Sequence, residues 1–142
     1  MLSQPLELAC QPSCDATAKR VLIVDDDDAA ADVLGMRLSR QGFRTSIAEN
    51  GQMARALVRS ERPHVILLDL RLPDVDGFEL CQELVDSPQT SHIPVIVVSG
   101  LDRPDIVRRA RAAGCHYYVR KPYDPNALLT LIQQAIDEAD GT

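Results

Sequence analysis

Five short apolar runs punctuate the chain, at residues 21–24, 43–48, 65–68, 94–98 and 117–119. The first, third and fourth are apolar at every position and rich in Val, Ile and Leu, as strands covered on both faces of a parallel sheet are. The second and fifth are weaker. Between the runs the apolar spacing becomes helical. Ala30, Val33, Leu34 and Leu38 share one predicted face, closed by Gly42, a residue suited to the position after a helix. Met53, Ala56 and Leu57 predict a second helix, and Phe78, Cys81, Leu84 and Val85 a third. Ile106, Ala110 and Ala113, before Gly114, predict a fourth. The fifth has Asp124 as N-cap, Pro125 at its first position and a stripe of Leu128, Leu129, Ile132, Ala135 and Ile136. Strands and helices in strict alternation predict an α/β fold, a single doubly wound domain on a parallel five-stranded sheet, because parallel crossovers are long and right-handed. Residues 1–18 show neither periodicity and are expected to be a flexible tail before a domain at 19–140.

Composition narrows the function. A chain of 142 residues, 45% hydrophobic and 25% charged, has the size and balance of one soluble globular domain. Its net charge of −6 argues against direct nucleic acid binding or attraction to an anionic membrane. The four cysteines (Cys10, Cys14, Cys81 and Cys115) include no CxxC pair, and His64, His92 and His116 are scattered, so a zinc site has no support. Cys81 and Cys115 sit in apolar contexts as core residues. No secretory signal opens the chain and no run is long enough to span a bilayer, so a cytoplasmic location is expected.

In an open α/β sheet, sites form beyond the carboxyl ends of the strands. The first run ends on Asp25, Asp26, Asp27 and Asp28; the third on Asp69; the fourth on Ser99; the fifth is followed by Lys121. Carboxylates, a hydroxyl and an ammonium group thus converge at one level of the sheet. Four consecutive aspartates are either a solvated turn that caps the following helix or, where they are partly desolvated, a place where a cation sits among them. A hard divalent ion with oxygen ligands fits such a cluster, and Mg²⁺, which takes one or two carboxylates, keeps waters and accepts phosphate oxygens, fits best, with Mn²⁺ as the alternative. Asp25 and Asp26 read as the metal seat, and Asp27 or Asp28 as the cap of the first helix.

The segments "LIVDDD", "VILLDLRLPDVDG", "IPVIVVSG" and "YYVRKP" together resemble the receiver domain of two-component response regulators, from Lys19 to the end of the fifth helix. The resemblance implies a flavodoxin-like (βα)5 fold with strand order 2-1-3-4-5. It implies that Asp69 takes a phosphoryl group from a sensor histidine kinase or histidine phosphotransfer protein. By the same resemblance Asp25, Asp26, Asp69 and the backbone carbonyl of Arg71 hold the metal, and Lys121 pairs with a phosphoryl oxygen. Ser99 and Tyr118 are the switch pair, and Lys121–Pro122 is a candidate cis bond. The readout would be the surface of helix four, strand five and helix five, meeting a downstream target or a second copy in a homodimer. Arg71 and Leu101, two residues after Asp69 and Ser99, flank the pocket mouth. A chain of this kind is a stand-alone regulator or a piece of a longer one. It catalyses its own phosphorylation and dephosphorylation without being a turnover enzyme.

Three other readings compete. An aspartyl-nucleophile phosphohydrolase on a similar sheet would want an acid two residues after the nucleophile, where Arg71 stands. A degenerate receiver serving only as an interaction module would not keep Asp26, Asp69, Ser99 and Lys121 together. An EF-hand over "LPDVDGFELCQE" fails at its first ligand, Leu72, and at its apolar eighth position, Glu79, so Asp74–Gly77 reads as a turn. The arginines of helix four (Arg103, Arg108, Arg109 and Arg111) and the acids ending helix five (Asp137, Glu138 and Asp140) read as solvated surface.

Overall fold

The computed structural model describes residues 17–141. Almost all of the expected tail, with Cys10 and Cys14, lies outside them. Strands β1 (Arg20–Val24), β2 (Arg44–Ala48), β3 (Val65–Leu68), β4 (Val95–Ser99) and β5 (Tyr117–Arg120) alternate with helices α1 (Asp28–Arg40), α2 (Gly51–Glu61), α3 (Gly77–Asp86), α4 (Ile106–Ala112) and α5 (Pro125–Ala139). Every strand pairing is parallel, in the order β2-β1-β3-β4-β5. The central strands β1, β3 and β4 bury their side chains on both faces, which is why they read as unbroken apolar runs. One face carries α1 and α5 over Val21, Ile23, Val65, Leu67, Ile96 and Val98. The other carries α2, α3 and α4 over Leu22, Val24, Ile66, Leu68, Val95 and Val97.

Two helices bury a different stripe from the expected one. In α1 the buried positions are Ala31, Leu34, Gly35 and Leu38, whereas Ala30 is exposed and Val33 is 57% exposed. The i, i+3, i+4, i+7 stripe includes Gly35, which carries no hydrophobic signal yet lies over Ile23, Thr45 and Ile47 of the sheet. Val33, about 100° around the helix from Leu34, falls on the rim. In α2 the buried residues are Gly51, Ala54 and Val58, while Met53 and Ala56 are exposed. Small residues again form the contact face and the larger ones flank it.

Four of the five described helices are started by a side chain on the preceding residue; α4, with Asp105 at its cap position, has no such bond. Asp27 Oδ1 accepts from the N–H of Ala30, Asn50 from Met53, Asp76 from Phe78 and Asp124 from Asn126. The turn before α3 is tight: a Cβ on Gly77 would lie 2.5 Å from the Leu70 Cα, and only glycine fits that approach.

Candidate functional site

Asp25, Asp69 and Lys121 each stand one residue past a strand, and the ladder still holds their backbones. The Asp25 N–H donates to the Ala48 carbonyl, Asp69 to Val24 and Lys121 to Ser99, each at 2.9 Å. Their main chains are thus fixed as rigidly as the sheet, while their side chains emerge beyond its edge. Asp25, Asp69 and Ser99 are also the buried polar or charged residues among the described ones. Buried polar groups need partners, and the partners define the site.

Lys121 Nζ sits between two carboxylates, 2.8 Å from Asp69 Oδ2 and 3.3 Å from Asp25 Oδ2. The remaining oxygens are satisfied from the backbone. Asp25 Oδ1 accepts from the Asp27 N–H and Asp69 Oδ1 from the Arg71 N–H, both at 2.9 Å. Burial pushes the Asp25 carboxyl above its ordinary value, against the Asp27 N–H and the Lys121 charge, with the Asp69 charge adding to the rise. Burial also disfavours the Lys121 ammonium, but its hydrogen bond and charge attraction to Asp69, reinforced by Asp25, raise its pKa overall. The ammonium is therefore locked in its charged form, and a pair of carboxylates that would repel is held around it.

The other expected site residues divide. Ser99 is fully buried, and its Oγ accepts from the Leu101 N–H at 3.0 Å rather than bonding to Asp69. Arg71 brings its N–H to Asp69 and pairs with Asp76 in an antiparallel bridge. One end of its guanidinium passes 3.9 Å from where a Gly100 Cβ would be. Asp26 is exposed to solvent. Among the described residues no three His, Cys, Asp or Glu side chains close on one point, so the expected three-aspartate metal seat is not drawn together. Of the run of four, Asp25 faces the site and Asp27 caps α1. Tyr118 packs against the α2, α3 and α4 core, and its buried hydroxyl has no hydrogen-bond partner among the described residues. The Lys121–Pro122 bond is cis.

Sequence reasoning missed two contributors. Asp74 accepts from the N–H groups of Gly51 (2.8 Å) and Gln52 (3.0 Å), pinning the loop after Asp69 to the start of α2. Its partners are more than twenty residues away, so no local pattern announces the contact. A cleft of about 560 Å³ opens from Asp25, Asp69 and Lys121 between α1 and the β5–α5 loop, walled by Val33, Leu34, Arg37 and Tyr123. The misplaced phase of α1 hid that wall.

The family model for the response regulator receiver domain matches residues 21–133. This chain is a response regulator receiver domain. It is similar to Protein PilH of Pseudomonas aeruginosa, 35% identical over 117 residues that cover 82% of this chain and 97% of PilH. It is also similar to Response regulator PleD of Caulobacter vibrioides, 34% identical over 125 residues, 84% of this chain but 28% of PleD. A CheY-like receiver structure from Methanospirillum hungatei superimposes with a TM-score of 0.82 at 31% identity, covering 87% of this chain and 98% of that one. Receivers are phosphoacceptor signalling domains that work with histidine kinases and downstream targets, and the strand order found here is theirs. No helix among the described residues is long and apolar enough to cross a membrane.

Proposed function

We propose that Asp69 is the phosphoacceptor, that the reaction needs Mg²⁺ (or Mn²⁺), and that the donor is a histidine kinase or histidine phosphotransfer protein. The observation that carries this reading is the Lys121 ammonium held between Asp69 and Asp25 at the strand tips. A carboxylate is a weak nucleophile, so transfer depends on positioning and on neutralising charge in a loose transition state. Asp69 is positioned by both oxygens: Arg71 holds one and Lys121 the other. The phosphoryl group leaves its phosphorus–nitrogen bond on the donor and forms one phosphorus–oxygen bond to Asp69. The donor nitrogen keeps the bonding electrons. Lys121 then pairs with a phosphoryl oxygen in place of the carboxylate oxygen it holds at rest.

The donor set suits Mg²⁺, which needs only one or two protein carboxylates. Asp25 and Asp69 would supply two that are buried and adjacent, with the Arg71 carbonyl and the exposed Asp26 as the further groups that would hold the ion. The ion when bound supplies charge neutralisation for the incoming phosphoryl oxygens. Ser99 exchanges its bond from Leu101 for one to the phosphoryl group, and Tyr118 responds behind it. The surface of α4, β5 and α5 carries the change to a target or to a second copy in a homodimer. In this reading the chain assists its own phosphorylation and its later hydrolysis, in the cytoplasm.

The test is labelling by a small phosphodonor. The wild-type chain with Mg²⁺ should take up one acid-stable, base-labile phosphate, lost on chelation of the metal and absent in Asp69→Ala. Undiminished labelling of Asp69→Ala would overturn the assignment.

A further inference from the structure

At the opposite end of the sheet from Asp69, a groove runs between α2 and the segment 87–93 that leads into β4. Its two overlapping parts measure about 430 and 360 Å³, over a floor of Val58, Leu84 and Ile93. Arg55, Arg59 and Arg62 line it from the side of α2. The one carboxylate lining it, Glu83, is already held by Arg55 through two bonds of 2.8 and 3.0 Å. That leaves three guanidiniums against one carboxylate, a local excess of positive charge in a chain of −6.

The guanidiniums of Arg59 and Arg62 are exposed and have no hydrogen bond or ion pair with any described residue. Basic side chains at a helix end commonly serve its last carbonyls. Here Arg20 does that work: its guanidinium takes the Glu61 carbonyl at 2.7 Å and the Arg62 carbonyl at 2.9 Å. Arg59 and Arg62 are therefore not needed by α2. Across the groove the Ser87 hydroxyl donates to Gln89 Oε1, so the Gln89 amide presents its N–H groups, and His92 stands beside it. The rim is rich in donors, and its carboxylate is spoken for.

We propose that this groove binds an acidic peptide segment of a partner protein, with its carboxylates on Arg59 and Arg62 and its apolar side chains on Val58, Leu84 and Ile93. Guanidinium–carboxylate pairs are short, two-pronged and directional. A free small anion would make no use of the apolar floor. A long polyanion such as nucleic acid would run past the local basic patch onto the rest of a chain whose net charge is −6, whereas a short peptide stays within it. The 11 residues of α2 span about 16 Å, enough for about five residues of extended peptide. Because the groove lies at the far end of the strands, an occupant leaves Asp69 and its cleft open. The proposal does not depend on the phosphoacceptor assignment.

The test is a titration of the full ¹⁵N-labelled chain with a blocked peptide of repeating Glu-Glu-Leu, followed by amide chemical shifts. Saturable shifts should centre on α2 and the 87–93 segment and weaken with added salt. Arg59→Ala with Arg62→Ala should lower affinity about tenfold or more, whereas Arg108→Ala with Arg111→Ala on α4 should leave it within about twofold. Dispersed spectra of each variant show that it is folded. The proposal is overturned by absence of saturable shifts, by shifts centred on α4, or by unchanged affinity in the Arg59/Arg62 pair. Tighter binding of single-stranded oligothymidylate than of the peptide would also overturn it.

Discussion

Tyr118→Phe removes one oxygen from a place where that oxygen has no partner. The ring packs against the α2, α3 and α4 core, and the hydroxyl is buried without a hydrogen bond among the described residues. An unsatisfied buried hydroxyl costs about 1–3 kcal/mol, and an apolar replacement of the same shape recovers part of it. Tyr118 as a whole is only half-buried, so the lower end applies. The unphosphorylated variant should gain about 1 kcal/mol, a rise in Tm of about 3–5 °C for a domain of this size. Urea unfolding followed by circular dichroism measures it, with the midpoint moving up at unchanged slope. Tyr117→Phe is the control. Its hydroxyl bonds Glu138 and accepts from Gln134, so its loss should lower the midpoint. If Tyr118→Phe destabilised the resting protein as Tyr117→Phe does, the hydroxyl would be engaged at rest. It would then not be free to take a new partner on phosphorylation.

Three further outcomes follow from the site and the sheet. Lys121→Met leaves two buried carboxylates facing each other; with Lys121 29% exposed and each aspartate 11%, solvent screening brings the loss to about 1–3 kcal/mol at pH 7 in chemical denaturation. Because the Lys121 pKa is raised on folding, its contribution is complete below pH 10.5 and fades as pH climbs beyond it, and Lys121→Met should lack that alkaline decline. His64 Nδ1 accepts from the Arg20 N–H and His116 Nδ1 from the Val95 N–H, at the entrances of β1 and β4. Burial lowers both pKa values, helped at His64 by Arg20 and Lys19 and opposed at His116 by Glu138, so their stabilisation is present above pH 6.5 and lost as pH falls below it. His64→Asn with His116→Asn keeps an acceptor that does not titrate and should flatten the acid limb of a Tm–pH curve. Gly77→Ala drives a Cβ into the Leu70 backbone and should cost about 1–3 kcal/mol in the same assay.

What the sequence revealed and what it hid have physical causes. The unbroken apolar runs of β1, β3 and β4 announce strands because both faces of the sheet are covered. Asp25, Asp69 and Lys121 were legible as neighbours because a strand end is a fixed address, where the ladder holds each backbone beside the next. Helix phase was less legible. Gly35, Gly51 and Ala54 carry the contacts of α1 and α2 yet add little to a hydrophobic pattern, so Val33 and Met53 drew the stripe toward the rim. Partners distant in sequence left no local mark, as with Asp74 on the start of α2 and Arg20 on its end. The direction of Ser99 was equally out of reach, since a hydroxyl chooses among nearby donors only once the loop exists.

The claim that all of this serves is that one carboxylate, Asp69, accepts the phosphoryl group. Borohydride reduces an acyl phosphate to an alcohol and so converts a phosphorylated aspartate into homoserine, which peptide mass mapping places to the residue. After reaction with a phosphodonor and Mg²⁺, homoserine is expected at position 69 alone and not when the metal is chelated. Homoserine at position 25 or 26 with residue 69 intact would contradict the account.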